Sequence, residues 1–263
     1  MHTRQLIGII TGLIFILIFS VTAIEASGIL PPQKFPVSAS RGIDTTISEY
    51  GYPDITESDL VVGYLPYNNS VSATDGGIPS SNGSADQNSW ISMVSDTFHA
   101  SGTAYGDAAW NGFTGGASVN SYSGFMYTFD VESPSDYLFS GNGSAIRTVS
   151  DALEAQVYAD VYASLQDVTN STYLHNFSVA YDGNQGFSFS GTLSPARYKV
   201  SINAQVDVWP DYDEQFVDAT ASYSMNFRLA PAGVGIPVPE PASVLLFLLG
   251  LIPLWVRNRR CRR

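Results

Sequence analysis

Between positions 153 and 165 the chain reads LEAQVYADVYASL, and every second residue is apolar. Leu153, Ala155, Val157, Ala159, Val161, Ala163 and Leu165 alternate with Glu154, Gln156, Tyr158, Asp160, Tyr162 and Ser164. A strand turns successive side chains to opposite faces, so this rhythm puts one apolar face against a core and one polar face in water. Apolar residues also recur every fourth position, at 153, 157, 161 and 165. A helix built on that stripe would carry the alanines all round it and the tyrosines beside it, so the strand is the better reading.

The same alternation returns along the body. Val200, Ile202, Ala204, Val206 and Val208 form one inward row, and Ala221, Tyr223, Met225, Phe227 and Leu229 another. Phe98, Ala100, Gly102 and Ala104 follow it, as do Phe125, Tyr127, Phe129 and Val131. Phe177, Val179 and Tyr181, then Phe187, Phe189 and Leu193, predict a hairpin across DGNQG (182–186). Turn-forming clusters punctuate the rest: SPSD (133–136), GNGS (141–144) and PDYDE (210–214). Leu30 to Tyr67 looks less regular, and the Gly/Ser/Asn-rich stretch from Thr74 to Asn88 predicts a loop. About ten strands and no body helix make the expected fold all-β, an antiparallel β-sandwich of jelly-roll-like type over 28–230.

The two ends differ from this body. Arg4 precedes an uncharged apolar run from Leu6 to Ser20, and small residues follow at Val21-Thr22-Ala23. That order is the pattern of a secretory signal peptide over 1–26, cut by signal peptidase after Ala23 or Ala26. An uncleaved anchor is the alternative, but the apolar run is shorter than the roughly 20 residues a span needs. At the other end, a Pro/Gly spacer (231–237) leads to VPEPASVLLFLLGLIPLWVRNRRCRR. Residues 242–256 are apolar apart from Ser243, short for a span and weakened by Pro253. Arg257, Arg259, Arg260, Arg262 and Arg263 follow as a stop-transfer cluster that stays cytoplasmic. The sandwich is thus expected between an N-terminal signal helix and a C-terminal transmembrane helix.

Pro239-Glu240-Pro241, a short apolar helix and an arginine cluster, paired with a signal peptide, resemble the PEP-CTERM sorting signal of exopolysaccharide-producing bacteria. The resemblance covers only 238–263. It implies export, transient anchoring by the tail, and recognition near the motif by the membrane protease exosortase. The body would then pass to the cell surface or extracellular matrix. Prolines on both sides of Glu240 keep that site extended, as a protease must receive it.

Charge separates the body from its ends. Six of the twelve cations and two of the 24 acids lie in the end segments, so the body carries a formal charge of about −16. Such a surface repels nucleic acid. The single cysteine, Cys261, sits in the tail, so the body has no disulfide framework. Its two histidines, His99 and His175, lie in separate strands; no G-x-S-x-G elbow and no Cys/His zinc set occur. Asp211, Asp213 and Glu214 form the densest acidic loop, the place to look for Ca²⁺, without the spacing of an EF-hand; the leading expectation is no cofactor. Tyr158 and Tyr162 stand on the polar face of the long strand, and with Trp209 they could stack on sugar rings, or pair across strands instead; Trp90 and Trp110 are further aromatics to locate. The expected function is therefore a non-enzymatic, exported surface or matrix sandwich with a structural or adhesive role linked to exopolysaccharide. The alternatives are a carbohydrate-binding module and a secreted carboxylate-dependent glycoside hydrolase or lyase, which needs two facing acids in a cleft.

Overall fold

A computed structural model describes residues 34–49, 53–75, 81–93, 95–109, 117–149, 156–210 and 216–233. The signal segment (1–26) and the sorting segment (238–263), with their two expected helices, lie outside the described residues. Twelve strands run in order: β1 (Lys34–Glu49), β2 (Ile55–Val62), β3 (Tyr67–Asp75), β4 (Ser81–Ser92), β5 (Thr97–Ala109), β6 (Ala117–Val131), β7 (Ser135–Val149), β8 (Gln156–Asp167), β9 (Thr172–Ala180), β10 (Gly183–Leu193), β11 (Ala196–Trp209) and β12 (Phe216–Pro231). They form two six-stranded sheets, β2-β1-β6-β11-β8-β9 and β10-β7-β12-β5-β4-β3. Every neighbouring pair is antiparallel. The molecule is an all-β sandwich of jelly-roll-like character.

The inward rows read from the sequence are the core. Val200 to Val208, Ala221 to Leu229, Phe98 to Ala104 and Phe125 to Val131 bury their alternate residues, and Val157 to Leu165 does the same in β8. Large and small side chains are segregated along the interior. At the end near the β6–β7 turn, rings fill the space: Phe227 lies within 4.7–6.1 Å, centroid to centroid, of Phe98, Phe129, Phe139 and Tyr137. Toward the opposite end the facing residues are small, among them Ala104, Ala108, Ala219 and Ala221. There the sheets come close, since a Cβ on Gly106 would stand 3.0 Å from Val119 and 3.3 Å from Val206.

Four sequence expectations need correction. The strands number twelve, because Leu30–Tyr67 contains β1 and β2 and the Thr74–Asn88 stretch is mostly β3 and β4. The inward row of β1 includes Arg41 and Thr45, and that of β4 is Ser81, Gly83, Ala85, Gln87 and Ser89, so neither shows an apolar period. Arg41 is buried because its guanidinium is taken up locally: Nε donates to Ser89 Oγ at 2.8 Å, Nη1 donates to the Gly63 carbonyl, and the group lies 5.8 Å from the Phe125 ring centre. Burial pulls its pKa down from the ordinary arginine value. GNGS is not a turn but the middle of β7. A Cβ on Gly141 would come within 2.4 Å of the Ser224 carbonyl oxygen, and one on Gly143 within 2.9 Å of Val161. Lastly, β9 and β10 are not a hairpin. They are edge strands of opposite sheets, joined where Tyr181 and Asp182 take positive φ (54° and 60°). Phe177 and Phe187 meet across the interior at 4.5 Å rather than side by side.

His175 closes that edge, half-buried. Its ring stacks on Phe189 at 4.3 Å, and its Nε2 hydrogen-bonds the Tyr137 hydroxyl. Burial holds the imidazole below its ordinary value of about 6.5. Between that lowered value and 6.5 the folded chain binds fewer protons than the unfolded one. This group's contribution is therefore full above pH 6.5 and is lost as pH falls below it. His175→Phe keeps the stack and removes the titration. Thermal unfolding of wild type should fall relative to this variant between pH 7.5 and pH 5; parallel curves would contradict the linkage.

Candidate functional site

The outer face of the β2-β1-β6-β11-β8-β9 sheet gathers aromatic, acidic and amide side chains. Tyr158 and Tyr162 stand four residues apart on β8, about 13 Å along the strand, with Asp160 between them on the same face. Trp209 lies on neighbouring β11, where it pairs with Gln156, making it a diagonal neighbour of Tyr158. Tyr158 is 39% exposed and Trp209 54%. Both tyrosine hydroxyls are tied down. That of Tyr158 donates to Asp160 Oδ2 at 2.9 Å, and that of Tyr162 to Asn176 Oδ1 at 2.8 Å. The Tyr158 ring is also braced edge-on by Tyr181 at 5.8 Å. Arg147 in turn lies over the Tyr181 ring at 4.9 Å and pairs with Asp182 at 3.3 Å. Fixed rings cost less conformational entropy when they stack on a ligand.

One aromatic of this face escaped the sequence reading. Tyr122 on β6 lies back across Gly124: a Cβ on that glycine would stand 2.0 Å from the Tyr122 hydroxyl and 2.4 Å from its Cζ. The ring edge also reaches Gly42 on β1. Two glycines at adjacent outward positions, paired through Gly42↔Gly124, make the room. The signal was present as a Tyr-x-Gly on the polar parity of β6, but nothing in one strand shows that its neighbour also offers a glycine. A row of polar residues crosses the face through Tyr122: Asp44, Tyr122, Gln205 and Asp160 pair in turn. Burial raises the pKa of Asp44 and of Asp160. The Tyr158 phenol is pushed up to about 12, first by its hydrogen bond to Asp160 and then by burial.

The other sheet presents a smaller site. Trp90 on β4 is 41% exposed and stacks on His99 of β5 at 6.1 Å, and His99 Nδ1 lies 3.1 Å from Asn226 Oδ1. Beside them a concavity of about 220 Å³ is lined by Trp90, Thr97, Leu138, Ser140, Asn226 and Arg228, together with Phe98 and Phe227 of the core.

The structure brings Tyr158, Tyr162 and Trp209 to one face. The acidic loop residues Asp211, Asp213 and Glu214 lie outside the described residues, as do Pro239, Glu240, Pro241, Arg257, Arg259, Arg260, Arg262, Arg263 and Trp110. Among the described residues no group of three or more His, Cys, Asp and Glu side chains is placed to hold a metal. The groove at the end of β6 and the start of β11 holds two acids, Asp130 and Glu132. Asp130 is bound through both oxygens by Arg197, Nε at 2.7 Å and Nη2 at 2.9 Å. That pairing lowers its pKa.

No family model matches the chain, and no curated protein sequence matches it. Solved structures that match include the empty virus-like particle of Cowpea Mosaic Virus, with 11% identity, 79% of this chain and 88% of that one covered, and a TM-score of 0.22. Broad Bean Stain Virus matches at 11% identity over 82% and 96%, with a TM-score of 0.21. The CBM22-1–GH10 part of a Clostridium thermocellum endo-1,4-beta-D-xylanase, complexed with xylohexaose, matches at 10% identity over 66% and 26%, with a TM-score of 0.15. At TM-scores this low none of them carries an argument about function.

Proposed function

We propose that this chain is an exported β-sandwich protein of the cell surface or extracellular matrix, delivered by its PEP-CTERM-like tail and processed by exosortase. Its role is structural or adhesive, by contact with exopolysaccharide and without catalysis. The observation that supports the contact is the placing of Tyr158, Tyr162 and Trp209 on one outer face, with ring-bracing partners and a row of acids and amides beside them. Aromatic faces pack on the apolar faces of sugar rings while amides and carboxylates take their hydroxyls. The hydrolase or lyase alternative needs an acid kept protonated opposite a second carboxylate. In the groove lined by Asp130 and Glu132, Asp130 is held ionised by Arg197 instead.

Two measurements test this reading. Mass spectrometry of the C-terminal peptide, on protein from the surface and medium of its host, should find a terminus near Pro239 to Ala242. A body still ending at Arg263 would remove the processing step and leave a tethered sandwich. Retention of the processed protein on immobilised polysaccharide should weaken about tenfold or more in Tyr158→Ala. Unchanged retention would take the contact away from this face.

A further inference from the structure

The geometry points to a second saccharide site on the opposite sheet, a single-ring subsite for a neutral pyranose, built by Trp90, Asn226, Arg228, Ser140 and Thr97. Register brings these residues together. Trp90, His99, Asn226 and Ser140 pair in sequence across β4, β5, β12 and β7, and Thr97, Arg228 and Leu138 form the adjoining row. The concavity beside Trp90 has a volume of about 220 Å³. Pockets that engulf a drug-sized ligand run to about 300–1,000 Å³, so this one takes one ring of a longer chain and not a whole oligomer. Its indole is already oriented by the stack on His99, which is held by Asn226. A pyranose has one apolar face for an indole and a rim of hydroxyls. Around the groove stand an amide, a guanidinium and two hydroxyls, which together donate and accept. Arg228 lines the concavity and belongs to neither of the ion pairs seen among the described residues, Arg147–Asp182 and Arg197–Asp130.

Charge selects the class of sugar. A polyuronate would meet one guanidinium here, but also a body of about −16. A neutral polymer meets the same donors without that repulsion. Because the two outer faces point in opposite directions, a molecule using both would hold two chains at once. This cross-linking rests on the proposed contact of Tyr158, Tyr162 and Trp209, whereas the Trp90 site stands without it.

The test is electrophoresis of the full chain, in non-ionic detergent, through gels containing a soluble neutral glucan, a xylan or a polygalacturonate. Wild type, Trp90→Ala, Ser140→Gln, Tyr158→Ala and the Trp90→Ala/Tyr158→Ala double variant are compared, with thermal unfolding of each as a folding check. Ser140→Gln fills the groove and leaves Trp90 in place, so it serves if the Trp90 variant unfolds. Retardation in a neutral gel is expected, weakened about tenfold or more by Trp90→Ala and by Ser140→Gln, and abolished in the double variant. If Trp90→Ala and Ser140→Gln migrate as wild type while Tyr158→Ala loses retardation, the second site is wrong and the first contact stands. If Tyr158→Ala alone is without effect, the second site stands and the first fails. Retardation confined to polygalacturonate would overturn the neutral-sugar assignment. Free migration of wild type in all three gels would overturn both sites.

Discussion

Phe227→Ala should destabilise the sandwich by about 3–5 kcal/mol, the range for removing a buried aromatic ring. Phe227 is 1% exposed in β12, at the middle of its sheet. Its ring stacks on Phe98 at 4.7 Å and on Tyr137 at 6.1 Å, and meets Phe129 and Phe139 at 5.6 and 6.0 Å. Phe129 belongs to the opposite sheet, so the deletion opens a void between the layers and not merely within one. A domain is typically stable by only about 5–15 kcal/mol, so a large share of the total is at stake. For a body of this size the midpoint of thermal unfolding should drop by on the order of 10 °C. Denaturant titration measures the change directly. Phe227→Leu, which refills part of the void, should cost distinctly less. A loss below about 1 kcal/mol for the alanine variant would mean that these rings are not mutually packed.

Gly102→Ala should also destabilise, by about 1–3 kcal/mol, although it adds a single methyl group. Gly102 lies on the inward row of β5, between Gln87 of β4 and Tyr223 of β12. A Cβ there would stand 2.2 Å from Ser123 Oγ, 2.8 Å from the Asp86 carbonyl oxygen and 3.0 Å from the Tyr223 hydroxyl. Ser123 cannot easily swing away, because its hydroxyl donates to that same carbonyl at 2.7 Å. Replacing glycine normally gains about 0.4–1 kcal/mol by restricting the unfolded chain. The clash therefore has to exceed that gain, and a backbone atom among the contacts makes it do so. Adding Ser123→Ala relieves the 2.2 Å contact and leaves the one with Asp86, so the double variant should recover part of the loss. A Gly102→Ala protein at least as stable as wild type would show that the sheets stand further apart here.

Both substitutions sit on rows that were readable as inward-facing from alternation alone. What either residue touches was not. Period two reports which side of its own strand a residue occupies, because that depends only on the pleat. It predicted the burial of Phe227, Val161 and Ile202, and the outward placing of Tyr158 and Tyr162. It failed where the inward row is itself polar or small. Arg41 and the glycines of GNGS are interior because a specific neighbour accepts or crowds them, and those neighbours lie tens of residues away. The glycine-rich segments were mistaken for turns for the same reason. A glycine that leaves room for a facing side chain looks, in one dimension, like a glycine that permits a bend.

The sandwich class, the buried rows, the acidic body and the distinct end segments were thus determined by local pattern and composition. Strand assignment to sheets, the separation of β9 from β10, the ring of Tyr122 lying across two glycines and the groove beside Trp90 were decided only by tertiary structure. Each depends on register between strands distant in the chain. Register is set by the fit of whole faces, which no single strand encodes.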